Sequence, residues 1–362
     1  MASKKLTTRA RMRSGLLNNV KYYPILGLTD GRKRSMPYRM SAIPWAIMAG
    51  SSLLADYMNP VPQPGEAGYT TMPVHHLRVM MENDSAFSHD CNYSHGTRID
   101  YAHSLPNGDA WGLSFTQNIY TPETHTDGAV KGEHPYAGYL AVGAAYLLRG
   151  EHVGSTFELQ VGCTGNQSGA RYAQNSLHEL CGIETWDGWH DQVPAEATVQ
   201  LSMRQDYDIP WLAVNCGNGW QTDGIFFTRE DVGTAFIRGG AGMSLRYGVN
   251  LPPSMQVNGN RGANYGLGLL DKPQYRRDET SYYLVGSAYV EYVARDITID
   301  GGVFHHFEQT CSRQPWQLEL QLGVGVTHGG VDYFAGGVYH SPTYREQNAE
   351  AFYGTFCATW HW

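Results

Sequence analysis

Trp316-Gln317-Leu318-Glu319-Leu320-Gln321-Leu322-Gly323-Val324-Gly325-Val326 decides the fold. Every second residue is large and apolar, and the residues between are polar or glycine. Successive side chains of a strand point to opposite faces, so this stretch reads as a strand with one apolar and one polar side. Trp111-Gly112-Leu113-Ser114-Phe115-Thr116 and the C-terminal Phe352–Trp362 repeat the pattern. A soluble sandwich also alternates, and three features separate a barrel in lipid from it. Aromatic residues stand near strand ends, at Trp111, Tyr136, Trp316, Trp360 and Trp362, where outer-membrane barrels carry aromatic girdles. The opposite face is polar, through Gln317, Glu319, Gln321, Ser244 and Arg246, as suits a hydrated lumen. The chain also ends on an aromatic strand. Hydrocarbon offers no partner to an open backbone edge, so such a sheet must close on itself.

Composition agrees. The chain of 362 residues has Gly 42, Tyr 24 and Trp 9, with only 17% charged residues, against about 25% in soluble domains. Mean hydropathy is −0.40, and residues 74–362 contain no apolar run of about 18, which excludes an ordinary helical membrane protein. A barrel escapes that test because only alternate residues face lipid. The net charge of −8 leaves no footprint for nucleic acid. The expected fold is all-β: a transmembrane antiparallel barrel of about 12 strands. Its strands are expected near 74–83, 93–105, 109–120, 136–149, 154–164, 196–208, 211–220, 233–248, 281–300, 316–327, 331–343 and 350–362. Residues 249–280 read as a long outward loop, and 166–195 break the alternation.

Ahead of the barrel, Arg32, Lys33, Arg34 and Arg39 precede the apolar stretch Ala42–Ala55, the order of a secretory signal. Residues 1–55 are therefore signal-like, with Met36 or Met40 as a start that gives a charged part of ordinary length. Residues 56–73, with Pro60, Pro62, Pro64 and Gly65, read as a linker, and 74–362 as an outer-membrane barrel acting as a single copy. Six cysteines show no metal-ligand spacing. An export compartment permits disulfides, and Cys163 with Cys181 is the pair to test.

Three segments carry candidate chemistry. Glu82-Asn83-Asp84 is followed by Asn92-Tyr93-Ser94-His95-Gly96; Tyr120-Thr121-Pro122 by His134-Pro135-Tyr136-Ala137-Gly138; and Gln174-Asn175-Ser176-Leu177-His178 by Gly188-Trp189-His190-Asp191-Gln192. Residues 170–180 lack Gly and Pro and read as a helix in a loop at the periplasm-distal end. Gln174 and His178, spaced i and i+4, share one face of it. Such a helix would present an acid/base histidine beside the barrel wall. The bland alternative is a loop-closing helix with a surface histidine. Asn83, Asp84 and Ser94 offer hard oxygen ligands, suited to calcium or magnesium rather than zinc, although Asn, Asp and Ser also mark turns.

The order of these motifs resembles the outer-membrane lipid A 3′-O-deacylase family. The resemblance is strong over residues 74–248 and continues beyond only as barrel pattern. It implies a calcium-dependent ester hydrolase that removes the 3′-linked acyloxyacyl chain from lipid A of lipopolysaccharide, in the bacterial outer membrane. On this chain it makes His178 the base that activates water, with Gln174 orienting the site. Asn83, Asp84 and Ser94 would surround the cation (Ca2+), and Glu184 is a supporting residue. The absence of a Gly-x-Ser-x-Gly elbow argues against a serine acyl-enzyme. Departures are Ser94 where members often have Thr, His134 where an arginine commonly precedes Pro-Tyr-Ala-Gly, and Glu123-Thr124-His125 where some carry a basic pair. Losing that positive charge leaves a related phospholipid esterase as an alternative substrate reading. A non-catalytic pore or adhesin is the alternative from another class; it would need no Gln174/His178 pair.

Overall fold

The computed structural model describes residues 75–87, 91–124, 127–150, 152–251, 280–348 and 351–362. The signal-like segment and the linker lie outside the described residues. The strands are β1 (His75–Asn83), β2 (Asn92–Ser104), β3 (Ala110–Thr121), β4 (Ala137–Arg149), β5 (Val153–Thr164), β6 (Ala197–Asp208), β7 (Val214–Gly217), β8 (Trp220–Gly233), β9 (Phe236–Val249), β10 (Ser281–Asp296), β11 (Trp316–His328), β12 (Val331–His340) and β13 (Ala351–His361). Neighbours pair antiparallel around the sheet. β1 meets β13 from His76↔His361 to Asn83↔Gly354, and β6 meets β8 from Gln200↔Gly233 to Asp208↔Ile225, closing the ring. The closed barrel has twelve strands, as expected, and β7 is a short extra ribbon paired with β8.

The molecule is polar inside and apolar outside. Along β11, Gln317, Glu319 and Gln321 are buried, while Trp316, Leu320, Leu322, Val324 and Val326 are exposed. Leu113, Val142, Leu159, Val161 and Leu201 continue that apolar belt on other strands. The lumen is packed rather than open. Arg98 is fully buried, donates two hydrogen bonds of 2.9 Å from Nη2 to Glu158, and pairs through Nε with Asp100 at 2.8 Å. Arg204–Asp206, Arg238–Asp231 and Arg246–Asp223 pairs line other levels, and the Arg229 guanidinium lies 4.1 Å from the centre of the Tyr289 ring. Charges kept from both lipid and water are tolerated only when paired in this way.

The strand register fixes the two ends. His75 and Trp362 mark one, from which the connections 105–109, 150–152 and 329–330 are short. The opposite end carries 84–91, 122–136, 165–196, 297–315 and 341–350, five of its six connections, whereas at the first end only 209–219 and 250–280 are long. Short turns are periplasmic and long loops extracellular in such barrels. Trp111, Tyr146, Trp220, Tyr247, Tyr282, Tyr333 and Trp360 are all partly exposed at strand ends on the periplasmic side and form its aromatic girdle.

Several expectations are corrected. Residues 211–220 are not a barrel strand: Pro210–Leu212 is a single tight turn leading into β7, and the barrel strand is β8. β8 escapes a period-two reading because Ile225-Phe226-Phe227 is apolar on both faces and Arg229-Glu230-Asp231 charged on both. The strand placed at 281–300 ends at Asp296, whose side chain accepts from the Thr298 N–H and caps a one-turn helix, Ile297–Asp300. The loop read as outward leaves the barrel at the periplasmic end, since Val249 pairs with Tyr282 and Ser281 with Thr327; residues 252–279 lie outside the described ones. Tyr136 is fully buried rather than in a girdle. All six cysteines are free, Cys163 and Cys181 included.

Replacing Arg98 with Ala leaves Glu158 buried without its partner and is expected to destabilise the barrel by roughly 3–5 kcal/mol. Urea titration in detergent, followed by heat-modifiable gel migration, measures it. Arg98→Ala unfolding at the wild-type midpoint would show that the ion pair does not stabilise the lumen.

Candidate functional site

The helix expected at 170–180 is present as α1, Ala170–Cys181. It lies against the outside of the barrel wall, as parity shows. On β3, Gln117, Ile119 and Thr121 share the face of exposed Leu113; on β1, Asn83 shares the face of exposed Met81; on β2, His95 and Thr97 share that of exposed Ile99. These exterior residues meet α1 across a small cleft of about 110 Å³ lined by Asn83, Ser85, Ser94, His95, Ile119, Ala173, Gln174, Leu177, His178, Cys181 and Ile183.

Local features explain the docking. Gly138 is outward on β4, and a Cβ there would come within 2.1 Å of Ser168 Oγ and 2.3 Å of the Ala170 Cβ. Only glycine admits the start of α1 so close to the wall. Gln117 Nε2 donates to the Ser168 carbonyl at 2.7 Å just ahead of the helix. Ile119, Tyr136, Ala170, Trp186 and Trp189 form one buried cluster under it, with the Tyr136 and Trp189 rings 5.0 Å apart. The Pro-Tyr-Ala-Gly and Gly-Trp motifs thus hold the helix in place.

α1 buries Ala170, Gln174 and His178, one turn apart along the face towards the wall. At its end Gly182 adopts φ 70°, a left-handed cap that turns the chain back. Asn175 holds the returning chain through the Trp186 main chain, and the Glu184 carbonyl arrives 2.8 Å from His178 Nδ1. A carbonyl only accepts, so Nδ1 carries the proton and Nε2 is the basic nitrogen. The Trp186 ring stands edge-on to His178 at 4.9 Å. The Glu184 side chain is exposed, and the contact it makes with His178 is through its main-chain oxygen. Gln174 is buried, and neither its Oε1 nor its Nε2 has a hydrogen-bond partner among the described residues. Leaving a buried amide unbonded costs about 1–3 kcal/mol.

Across the cleft, Ser94 is the extra residue of a β-bulge: Tyr93 pairs with Tyr120 and His95 with Ile119. Tyr93 points inward, donating to Glu82 at 2.7 Å. Ser94 bonds outward-facing Thr121, Oγ to Oγ1 at 2.6 Å, and His95 follows on the same side. Strict alternation would set Ser94 and His95 on opposite faces; the bulge places both in the cleft, the re-aiming bulges provide. Asn83 accepts from the Ser85 N–H at 2.8 Å, so it caps a turn as well as lining the cleft. Asp84 is buried behind it, with Oδ2 accepting from the Cys91 N–H at 2.7 Å. The structure therefore brings Asn83, Ser94, Gln174 and His178 to one cleft, with Asp84 next to it in the chain. Ser85 is a lining residue that sequence reading passed over, and His95, which alternation sets on the opposite face of the strand from Ser94, lines the cleft as well. Among the described residues, no group of three or more His, Cys, Asp or Glu converges to hold a metal ion. A cation here would rest mainly on amide and hydroxyl oxygens, which fits a hard ion in chemistry.

A profile of the family described as "Outer membrane protein LpxR" matches residues 48–362. The chain belongs to the LpxR family. That is the deacylase family whose motifs the sequence resembles, and it places the protein in the bacterial outer membrane. Among solved structures, LpxR from Salmonella typhimurium aligns at TM-score 0.66 and 17% identity, over 79% of this chain and 100% of that one. The β-domain of the Bordetella autotransporter BrkA aligns at TM-score 0.40 and 12% identity, over 80% and 99%. No curated protein sequence gives a match. Two of the positions at which the resemblance led to an expectation of positive charge have internal partners. The His134 ring is buried, stacked on Tyr120 at 5.1 Å, with Nδ1 bonded to the Pro135 carbonyl. Glu123 accepts from the Tyr344 hydroxyl at 2.9 Å.

Gly138→Val is expected to push α1 off the wall without opening the barrel. Limited proteolysis should then cut within 170–181 in the variant, while heat-modifiable migration stays as in the wild type. Equal protection of α1 in both proteins would refute the role given to Gly138.

Proposed function

We propose that this protein hydrolyses an acyl ester of a lipid in the outer leaflet, with lipid A as substrate. The observation that carries this reading is the position of the Gln174/His178 cleft. It lies on the outside of the wall, at the extracellular end, next to the apolar belt. A lipid in the outer leaflet reaches that place without leaving the membrane. Leu177, Leu180 and Ile183 are exposed beside it and offer apolar contact to acyl chains. A pore has no use for a site on its outer wall, and paired charges fill this lumen.

In the proposed reaction His178 Nε2 takes a proton from water, and the water oxygen attacks the ester carbonyl. The Glu184 carbonyl holds the imidazole in the tautomer this needs, and stabilises the imidazolium once it forms. Gln174, on the cleft face of α1, would hydrogen-bond substrate or the attacking water there. Asn83, Asp84 and Ser94 would hold calcium, which when bound supplies Lewis-acid polarisation of the carbonyl. The phospholipid-esterase reading retains one supporting observation, namely that His134 and Glu123 are engaged inside the protein and offer no cationic contact to lipid A phosphates.

His178→Asn keeps a donor towards the Glu184 carbonyl and removes the base. It is expected to lower turnover by about a hundredfold to ten-thousandfold with the barrel intact. Mass spectrometry of lipid A from cells producing each protein reads the missing 3′-acyl chains. Wild-type deacylation by His178→Asn would refute the assignment. Chelation of divalent cations with EGTA is expected to abolish activity of the purified protein and added calcium to restore it; full activity in chelator would rule out the cation.

A further inference from the structure

The cleft contains a second histidine. His95 lines it from the barrel wall, facing the side from which α1 presents His178. Its Nε2 lies 2.7 Å from the Thr97 hydroxyl, and its buried Nδ1 has no hydrogen-bond partner among the described residues. His95 is on the outer face of the wall, and the Ser94 bulge brings both residues to the cleft.

We propose that His95 is a catalytic residue that holds the leaving oxygen of the ester. The proposal rests on the hydrolase reading above. In the proposed arrangement the Thr97 hydroxyl is the donor to Nε2 and the imidazole proton stands on Nδ1, a tautomer that the 2.7 Å contact permits. That N–H donates a hydrogen bond to the alcohol oxygen of the scissile ester. When water adds, a bond forms between its oxygen and the carbonyl carbon, and His178 Nε2 takes its proton. When the adduct collapses, the bond from carbon to the alcohol oxygen breaks and its electron pair moves to that oxygen. The alkoxide takes the proton from His178, and the His95 N–H stabilises the charge in between without giving up its own proton. The products are a fatty acid and an alcohol, and both histidines end as they began. A neutral imidazole N–H is suited to this task, because preorganised donors aimed at developing charge cost no reorganisation.

The role has a signature that a structural one lacks. An alkyl ester has a poor leaving group and depends on the donor; a p-nitrophenyl ester has a good one and does not. The experiment measures kcat for detergent-solubilised wild type, His95→Ala, His95→Asn and His95→Gln on a medium-chain alkyl ester and its p-nitrophenyl analogue. Heat-modifiable migration confirms that each variant is folded. The expected result is that His95→Ala loses about a hundredfold on the alkyl ester and less than about tenfold on the p-nitrophenyl ester. His95→Asn, whose amide N–H sits where Nδ1–H does, should recover most of the alkyl-ester rate. His95→Gln, which extends the amide to the Nε2 position, should not. Equal losses on both esters, full activity of His95→Ala, or better rescue by Gln than by Asn would each overturn the proposal. If the wild type cleaves neither ester nor lipid A, the hydrolase reading itself has failed, which is a distinguishable outcome.

Discussion

Hydrocarbon has no hydrogen-bonding capacity, and the rest of this structure follows from that. A chain crossing it in strands must close its sheet, which the β6–β8 pairing does. Closure separates an interior from lipid, and the inward side chains there are buried. That interior takes the polar half of every strand, so arginines and carboxylates become a paired filling. The apolar half goes outward, where lipid, not a protein core, is its partner. With lumen and belt so committed, the candidate site residues lie on the outer wall, on elements added to it: α1, the bulge at Ser94 and the turn after Asn83.

This arrangement lets one surface serve two solvents. The helix face towards the wall buries Gln174 and His178, and its flank exposes Leu177 and Leu180. In water such a flank would be a liability. Beside an apolar belt it continues the surface that the membrane already covers. The same seating excludes water from the histidine except through the cleft, where a low-dielectric setting strengthens each directed hydrogen bond.

Period-two alternation revealed the barrel because side-chain direction in a strand is fixed by geometry. It failed at β8, where Phe226 and Phe227 are both apolar although only Phe227 faces the lumen, beneath Arg204 and Arg229. Length and its Gly, Asn and Pro content made residues 249–280 read as an outward loop, although eight barrel strands precede them in the expected and the observed series alike and bring the chain back to the periplasmic end. Helical spacing made the Gln174/His178 pair legible for the same geometric reason. The bulge was not legible, because Asn-Tyr-Ser-His-Gly carries no local mark of an extra residue. Ser94 and His95 therefore read as opposite-facing when they are neighbours. Glu184 could be noticed but not understood, since the atom that bonds His178 is a main-chain oxygen that any residue possesses. Tyr136 and Trp189 stood out as motif residues, and only packing shows that they seat the helix.

The central claim is that the His178 cleft opens to the outer leaflet. Site-specific photo-crosslinking in intact cells tests it most directly, with p-benzoylphenylalanine at position 177 on the flank of α1 and at Val161 on the belt as a control for membrane contact. The account predicts a lipopolysaccharide adduct from position 177, seen as a mass shift recognised by antibody to lipopolysaccharide. Adducts from the control position alone, with none from 177, would contradict it.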